Sequence, residues 1–186
     1  MKKSNKYKLG GEKRYQNNNI WQRIYMANIK TNLNGLEITL FFWNSVMAKE
    51  KVNESFLNDL CSMREFSYIY NEDFNSESLR RVLSALNNKE PFSGNKAERK
   101  YYSNNLMILE YIDEVQPTID AIKRLNLNKL GESAEEDMEI IIVPATVGSV
   151  QKIDNILLVD FFSLKNTENG LVISGESLEA ALRNKI

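Results

Sequence analysis

Residues 27–43 read ANIKTNLNGLEITLFFW, and the amino-terminal half turns on how Asn34-Gly35 at its centre is read. Asn-Gly supplies the two positive-φ positions of a type I′ turn, the tightest link between antiparallel strands. With that turn in place, Leu33 stands opposite Leu36, Thr31 opposite Ile38, Ile29 opposite Leu40 and Ala27 opposite Phe42. These pairs share one face and are nearly all apolar. Asn32–Glu37 and Lys30–Thr39 fall on the other face, which turns apolar only at Met26 and Trp43. A slip of one residue would send the apolar set to the solvent side, so the register is well specified. This reading predicts a β-hairpin with strands at 20–31 and 36–44.

Downstream the period changes. Asn53 is placed to cap a helix, with Val52 and Leu57 as its hydrophobic staple and Phe56, Leu60 and Met63 along one side. Phe66–Tyr70 is aromatic and branched, which favours a short strand. Ser76 is expected to cap a helix in which Leu79, Val82, Leu83 and Leu86 follow the i, i+3, i+4, i+7 spacing of one buried stripe. Asn87-Asn88 and Pro91–Gly94 then form a loop. Helical spacing resumes from Ala97 towards Val115, through Leu106, Leu109 and Ile112. Pro117 stands where another helix would begin, carried on by Ile119, Ile122 and Leu125. The pattern leaves open whether Pro117 separates two helices or kinks one.

The last third has a different texture. Met138–Val143 and Ile156–Phe162 are near-continuous apolar runs of strand length, as expected of strands covered on both faces. Asn169-Gly170 punctuates the return into Leu171–Ile173, a third strand, and Ser174 is expected to cap a last helix. The predicted class is α+β: an N-terminal β-hairpin, a helical middle, and a C-terminal antiparallel β-meander of about three strands with a terminal helix. The chain has 186 residues, which suits one domain. It divides into a basic arm at 1–18 and a single α+β domain at 19–186, with a sub-boundary possible near the acidic stretch 131–137.

Composition removes several chemistries. There is no histidine, which excludes Ser-His-Asp and Cys-His machineries and imidazole-bound zinc. A single cysteine, Cys61, excludes internal disulfides and thiolate clusters. No apolar run reaches the roughly 18–20 residues of a membrane span, and no apolar segment follows the first lysines as in a secretory leader. A cytoplasmic chain without membrane or cofactor is the expectation. Phosphate-binding glycine motifs and the G-x-S-x-G elbow are also missing.

The net charge of −1 conceals a division. Residues 1–102 carry 17 Lys+Arg against 11 Asp+Glu, a charge of +6, and residues 103–186 carry 7 against 14, a charge of −7. Basic residues interleaved with aromatics are what single-stranded nucleic acid uses, cations for phosphates and rings for stacking. Lys96, Arg99, Lys100, Tyr101 and Tyr102, extended by Arg80 and Arg81, fit that description, as do Lys6-Tyr7-Lys8 and Lys13-Arg14-Tyr15. Conversely, Glu132, Glu135, Glu136, Asp137 and Glu139 form an acidic run suited to docking on a basic partner, although their spacing matches no cation-binding loop. Asn71, Glu72, Asp73 and Asn75 form a second polar patch with the same defect. Asp160 interrupts the apolar run Leu157–Phe162. A metal-dependent nuclease could be built on it with Glu139 and Lys165, but no Glu-x-Lys follows at strand spacing.

These features predict a non-catalytic binding protein, an inhibitor or adaptor that docks on a nucleic-acid-processing protein. Asn, Lys and Ile number 23, 16 and 16, all with A/T-rich codons, which points to a low-GC bacterium or its phage as the source, and the acidic half with no marked catalytic group points to an antagonist within a bacterial or phage defence or counter-defence system. Two alternatives stand beside it: a nucleic-acid-binding accessory protein using the basic–aromatic patches, and a hydrolase centred on Asp160.

Overall fold

Asn34 and Gly35 begin a helix. The computed structural model describes residues 26–49, 53–70 and 74–186, together with the backbone of two upstream strands, β1 (Arg14–Asn17) and β2 (Ile20–Arg23). β1 and β2 pair antiparallel with Asn17 opposite Ile20, so an N-terminal hairpin exists, but upstream of the predicted turn. The chain continues through β3 (Ile29–Asn32) directly into α1 (Asn34–Met47). The segment 36–44, expected as the return strand, is therefore helical.

The reason lies in an ambiguity of the sequence that only tertiary contacts resolve. Leu36, Thr39, Leu40 and Trp43 fall at i, i+3, i+4 and i+7, and all four are buried. The same residues fit a period of two nearly as well. β3 instead pairs in parallel with β4 (Met138–Val143), Ile29 opposite Met138 and Asn32 opposite Ile141. Gly35 is buried in α1, and a Cβ on it would make an ordinary contact with the Cβ of Glu65, at 3.4 Å.

The helical middle comprises α2 (Glu54–Cys61), α3 (Arg64–Ser67), α4 (Ser76–Asn87), α5 (Lys96–Glu110), α6 (Ile112–Lys123) and α7 (Leu127–Gly131). Asn53 caps α2 as expected, accepting from the Phe56 N–H, whereas Val52 lies outside the described residues. Phe66–Tyr70 is not a strand. It winds through α3, which turns Phe66 and Tyr70 inward together, four residues apart. α4 is capped by Asn75, whose side chain accepts from Glu77 and Ser78, so Ser76 is the first helical residue and not the cap. The break between α5 and α6 falls at Tyr111 (φ −113°, ψ 26°), and Pro117 lies within α6. The break is six residues before the proline, which sits in the second turn of α6 and there removes the bond to the Asp113 carbonyl.

The carboxy-terminal third forms β5 (Val150–Ile153), β6 (Ile156–Asp160), a 3-10 turn at Phe161–Ser163, β7 (Leu164–Thr167), β8 (Gly170–Ile173), β9 (Glu176–Ser177) and α8 (Leu178–Arg183). The class is α+β, with antiparallel strands leading into a terminal helix. The membership differs from expectation. β4 and β6 are parallel neighbours in a four-stranded sheet of order β3-β4-β6-β5, because β5, unrecognised in the sequence, turns the chain round before β6. The three-stranded antiparallel meander is β7-β8-β9. Ser174 does not cap α8. With Gly175 it makes the turn between β8 and β9, both at positive φ (52° and 90°), as a type I′ turn requires. Ser177 is the cap.

Alternation along the parallel strands sends Ile140, Ile142, Leu157 and Val159 into the main core with Leu36, Trp43, Ile119 and Leu182. Ile141, Val143, Ile156 and Leu158 face the other way, under Tyr68 and Ile69. Coverage on both faces explains why these strands read as unbroken apolar runs. Among the described residues, no helix is long and apolar enough to cross a membrane.

Candidate functional site

The basic–aromatic residues lie at the start of α5 and on the neighbouring α4, but most are engaged in holding the fold together. Asn95 and Glu98 form a capping box: the Asn95 side chain accepts from the Glu98 N–H, and Glu98 accepts from the Asn95 N–H, both at 2.9 Å. Glu98 is almost fully buried and also receives Arg81 at 2.6 Å, which ties α4 to α5. Burial pushes the Glu98 carboxyl up, but hydrogen bonds from Asn95, Ser78 and Arg81, with the Arg81 charge, outweigh it and hold it below its ordinary value. Arg80 pairs with Glu54 and Glu77, and Arg99 donates to the Gly94 carbonyl.

The rings are engaged as well. Tyr101 is 3 % exposed and packs against Phe66, Tyr70 and Phe74. Tyr102 stacks on Phe92 at 5.5 Å and donates to the Glu90 carbonyl. Lys96 is exposed. Lys100 is half-buried, its ammonium 5.9 Å from the centre of the Tyr70 ring. Desolvation lowers the Lys100 pKa, partly opposed by the nearby Asp160 charge and reinforced by Lys96. The structure thus links the α4 and α5 cations only through the Arg81–Glu98 pair, turns Arg80 towards Glu54 and Lys100 towards Tyr70, and sends Tyr101 into the core. Side chains of the upstream patches at Lys6–Lys8 and Lys13–Tyr15 lie outside the described residues, as do Asn71, Glu72 and Asp73.

Asp160 occupies the carboxyl end of β6, where open parallel sheets usually bind ligands. It is 1 % exposed. One carboxylate oxygen accepts from the N–H groups of Val147 and Gly148 (3.1 and 3.3 Å), the other from Phe162 and Ser163 (2.9 and 3.3 Å). Four convergent amides are the chemistry of an anion-binding nest, and here the anion is the chain's own. Beside it, Asn104 accepts from the Thr146 N–H and donates to the Tyr70 hydroxyl.

Glu139 and Lys165 do not join Asp160. Val143 stands opposite Asp160, so Glu139 lies four residues down the strand, about 13 Å away at 3.3 Å per residue. Glu139 instead receives Arg64 on both oxygens at 2.6 Å and the Asn32 side chain at 2.9 Å. Burial pushes its carboxyl up, while the Arg64 and Asn32 hydrogen bonds prevail and leave it lowered. The same Asn32 amide donates to Glu65, which is buried, so β3, α3 and β4 are joined through one side chain. Lys165 is exposed on β7, at a cleft shared with Tyr111 and Glu114.

The acidic run divides likewise. Asp137 accepts from the Asn28 N–H at 2.7 Å, and Gly131 accepts from the Ala27 N–H at 3.2 Å, so both ends of 131–137 are tied to the approach to β3. Ala134 is buried between them, and Glu132, Glu135 and Glu136 remain exposed. Glu65, Asn32, Asn104 and Asn105 were missed as key polar residues. For Asn105 a signal exists: it falls at i+4 from Tyr101 in a buried stripe and accepts from the Trp43 indole at 2.7 Å. Among the described residues, no group of three or more acids or cysteines is placed to hold a metal ion. No family model matches the chain, and comparison with curated proteins and with solved structures finds no similar protein.

Proposed function

We propose that the chain is a non-catalytic binding protein that docks on another protein, an inhibitor or adaptor acting on a basic, nucleic-acid-processing partner of a bacterial or phage defence system. The observation that supports this reading is the exposure of Glu132, Glu135 and Glu136, while the Asp160 carboxylate, on which a hydrolase would be centred, is taken up by four backbone amides. Glu139 and Glu98 are likewise engaged with arginines. Groups so engaged stabilise the fold and are poorly placed to transfer protons or hold substrate. What faces solvent is charge: Glu132, Glu135 and Glu136 on one side, in a half of the chain carrying −7. Such a surface steers association with a basic partner.

The test is capture from native lysate by the tagged full-length chain, with half of the lysate treated with nuclease. Retention of the same protein in both halves, weakened when Glu132, Glu135 and Glu136 are changed to lysine, is the expected result. Retention abolished by nuclease would overturn the proposal in favour of nucleic-acid binding through Lys96, Arg99 and Lys100. Steep weakening with salt and loss in Arg99→Ala/Lys100→Ala would accompany that outcome.

A further inference from the structure

The break between α5 and α6 opens a cleft of about 310 Å³ against the 3-10 turn and β7. Met107, Tyr111, Val115, Phe161, Phe162 and Leu164 supply its apolar lining. Val115 and Phe161 are buried beneath it, while Tyr111 at the rim is 49 % exposed. Large apolar side chains left this open, around a concavity, mark a contact site more often than a bare surface does.

The rim adds a sign. Between Lys100 and Lys123 the sequence has no cation and four carboxylates: Glu110, Asp113, Glu114 and Asp120. Glu110, Asp113 and Glu114 are exposed and bracket Tyr111, and none of them forms an ion pair within the described residues. They differ in this from Glu37, Glu54, Glu98 and Glu139, each of which has an arginine or lysine partner. Of the charged residues lining the cleft itself, Glu114 stands on the helical wall and Lys165 on the opposite one, and Glu110 and Asp113 flank Tyr111 in the sequence just outside the lining.

We propose that this cleft receives a short basic segment of a partner protein, one bulky apolar side chain filling the cavity while flanking Lys or Arg residues meet Glu110, Asp113 and Glu114. The inference rests on the protein-binding reading above and replaces a diffuse acidic surface with a defined seat. The complementarity is twofold, since apolar burial supplies affinity and the carboxylate rim supplies selectivity and encounter rate.

The experiment uses the full chain and three labelled peptides, RKLWKR, RKGGKR and EELWEE, with binding read by fluorescence anisotropy. RKLWKR is expected to bind at least about tenfold more tightly than either control, one lacking the apolar anchor and the other the cations. Backbone NMR signals of Tyr111, Val115 and Phe162 should shift on titration. Tyr111→Ala and the triple change Glu110→Gln/Asp113→Gln/Glu114→Gln should each weaken binding by about tenfold, while Asp59→Asn/Glu90→Gln/Glu168→Gln, exposed carboxylates elsewhere on the surface, leaves it unaltered. All these positions are exposed, and unchanged thermal melting checks that each variant is folded. Equal binding of RKLWKR and RKGGKR, or no shift at the three reporter residues, would overturn the proposal. Dependence on Glu132, Glu135 and Glu136 instead would remove the cleft but leave the protein-binding function standing. Failure of the lysate capture in both halves would remove that function itself.

Discussion

Asp160 shows what a single residue does when an acid is placed inside an apolar strand. It was legible as an anomaly, since a charge within Leu157–Phe162 must find partners or be neutralised. Two of its partners, the N–H groups of Phe162 and Ser163, are the cap bonds an aspartate makes to the turn it begins, whereas those from Val147 and Gly148 come from a distant loop that leaves no trace around Asp160. The geometry makes Asp160→Asn a demanding test. One amide oxygen cannot serve all four N–H groups, and the new NH₂ would face two of them. A loss of about 2–4 kcal/mol is expected, each unsatisfied buried donor costing about 1–3 kcal/mol. Urea unfolding would measure it, and a variant as stable as the parent would contradict the nest. Glu98 offers a second test through pH. Its carboxyl is lowered in the folded state, so its contribution is complete above the unfolded carboxyl pKa of about 4.3 and fades as pH falls through the lower folded value. Glu98→Gln should therefore cost about 1 kcal/mol at neutral pH, and the difference in stability from the parent should close below about pH 4.

At the scale of elements, the reading succeeded where pattern and environment agree and failed where two patterns fit one stretch. The strands at Met138–Val143 and Ile156–Phe162, the second of which ends at Asp160 where the 3-10 turn begins, and the helix at Ser76–Asn87 were legible because burial on two faces or on one stripe leaves a distinct trace. The stretch after Asn34 was not, since Leu36, Leu40 and Phe42 satisfy a period of two while Leu36, Leu40 and Trp43 satisfy a helix. β5 escaped because Val150–Ile153 is a short edge strand with two exposed residues. Glycines separate the alternatives experimentally. In a hairpin, Gly35→Ala would lose about 1 kcal/mol through the strained turn. In α1 it should be neutral or mildly stabilising, because alanine favours helix by up to about 1 kcal/mol and Glu65 Cβ, at 3.4 Å, offsets part of that. Gly131→Ala should behave oppositely. Its Cβ would meet the Ala27 carbonyl at 2.4 Å, so the approach to β3 must shift, at a cost of about 1–3 kcal/mol and several degrees in Tm. Differential scanning calorimetry of the two variants side by side decides the matter.

Across the whole molecule, the division of charge along the sequence was visible at once, whereas the pairing that organises the sheet was not. Periodicity reports which face of an element is buried and is silent about which distant element covers its edge. β3 finds its partner across the entire helical middle: the Asn28 N–H and the Asp137 carboxylate that open the β3–β4 ladder are 109 residues apart. Contacts of such separation form late, since closing the loop costs entropy before any ladder bond forms. Pulse-labelled hydrogen exchange during refolding should show the amides of α4 and α5 protected before those of β3, and β3 protected together with β4. Protection of β3 in the earliest phase would contradict this order.

The same separation has a counterpart in time during synthesis. A ribosome adds about 5–20 residues per second, so β3 is made roughly 5–20 s before β4 and emerges well before its partner exists. Throughout that interval Ile29 and its unpaired edge are exposed to whatever else the cell offers, chaperones and neighbouring nascent chains included. Translation speed through the helical middle therefore sets how long each new copy is vulnerable to misassembly, and slowing it by codon choice should lower soluble yield even though the protein made is identical.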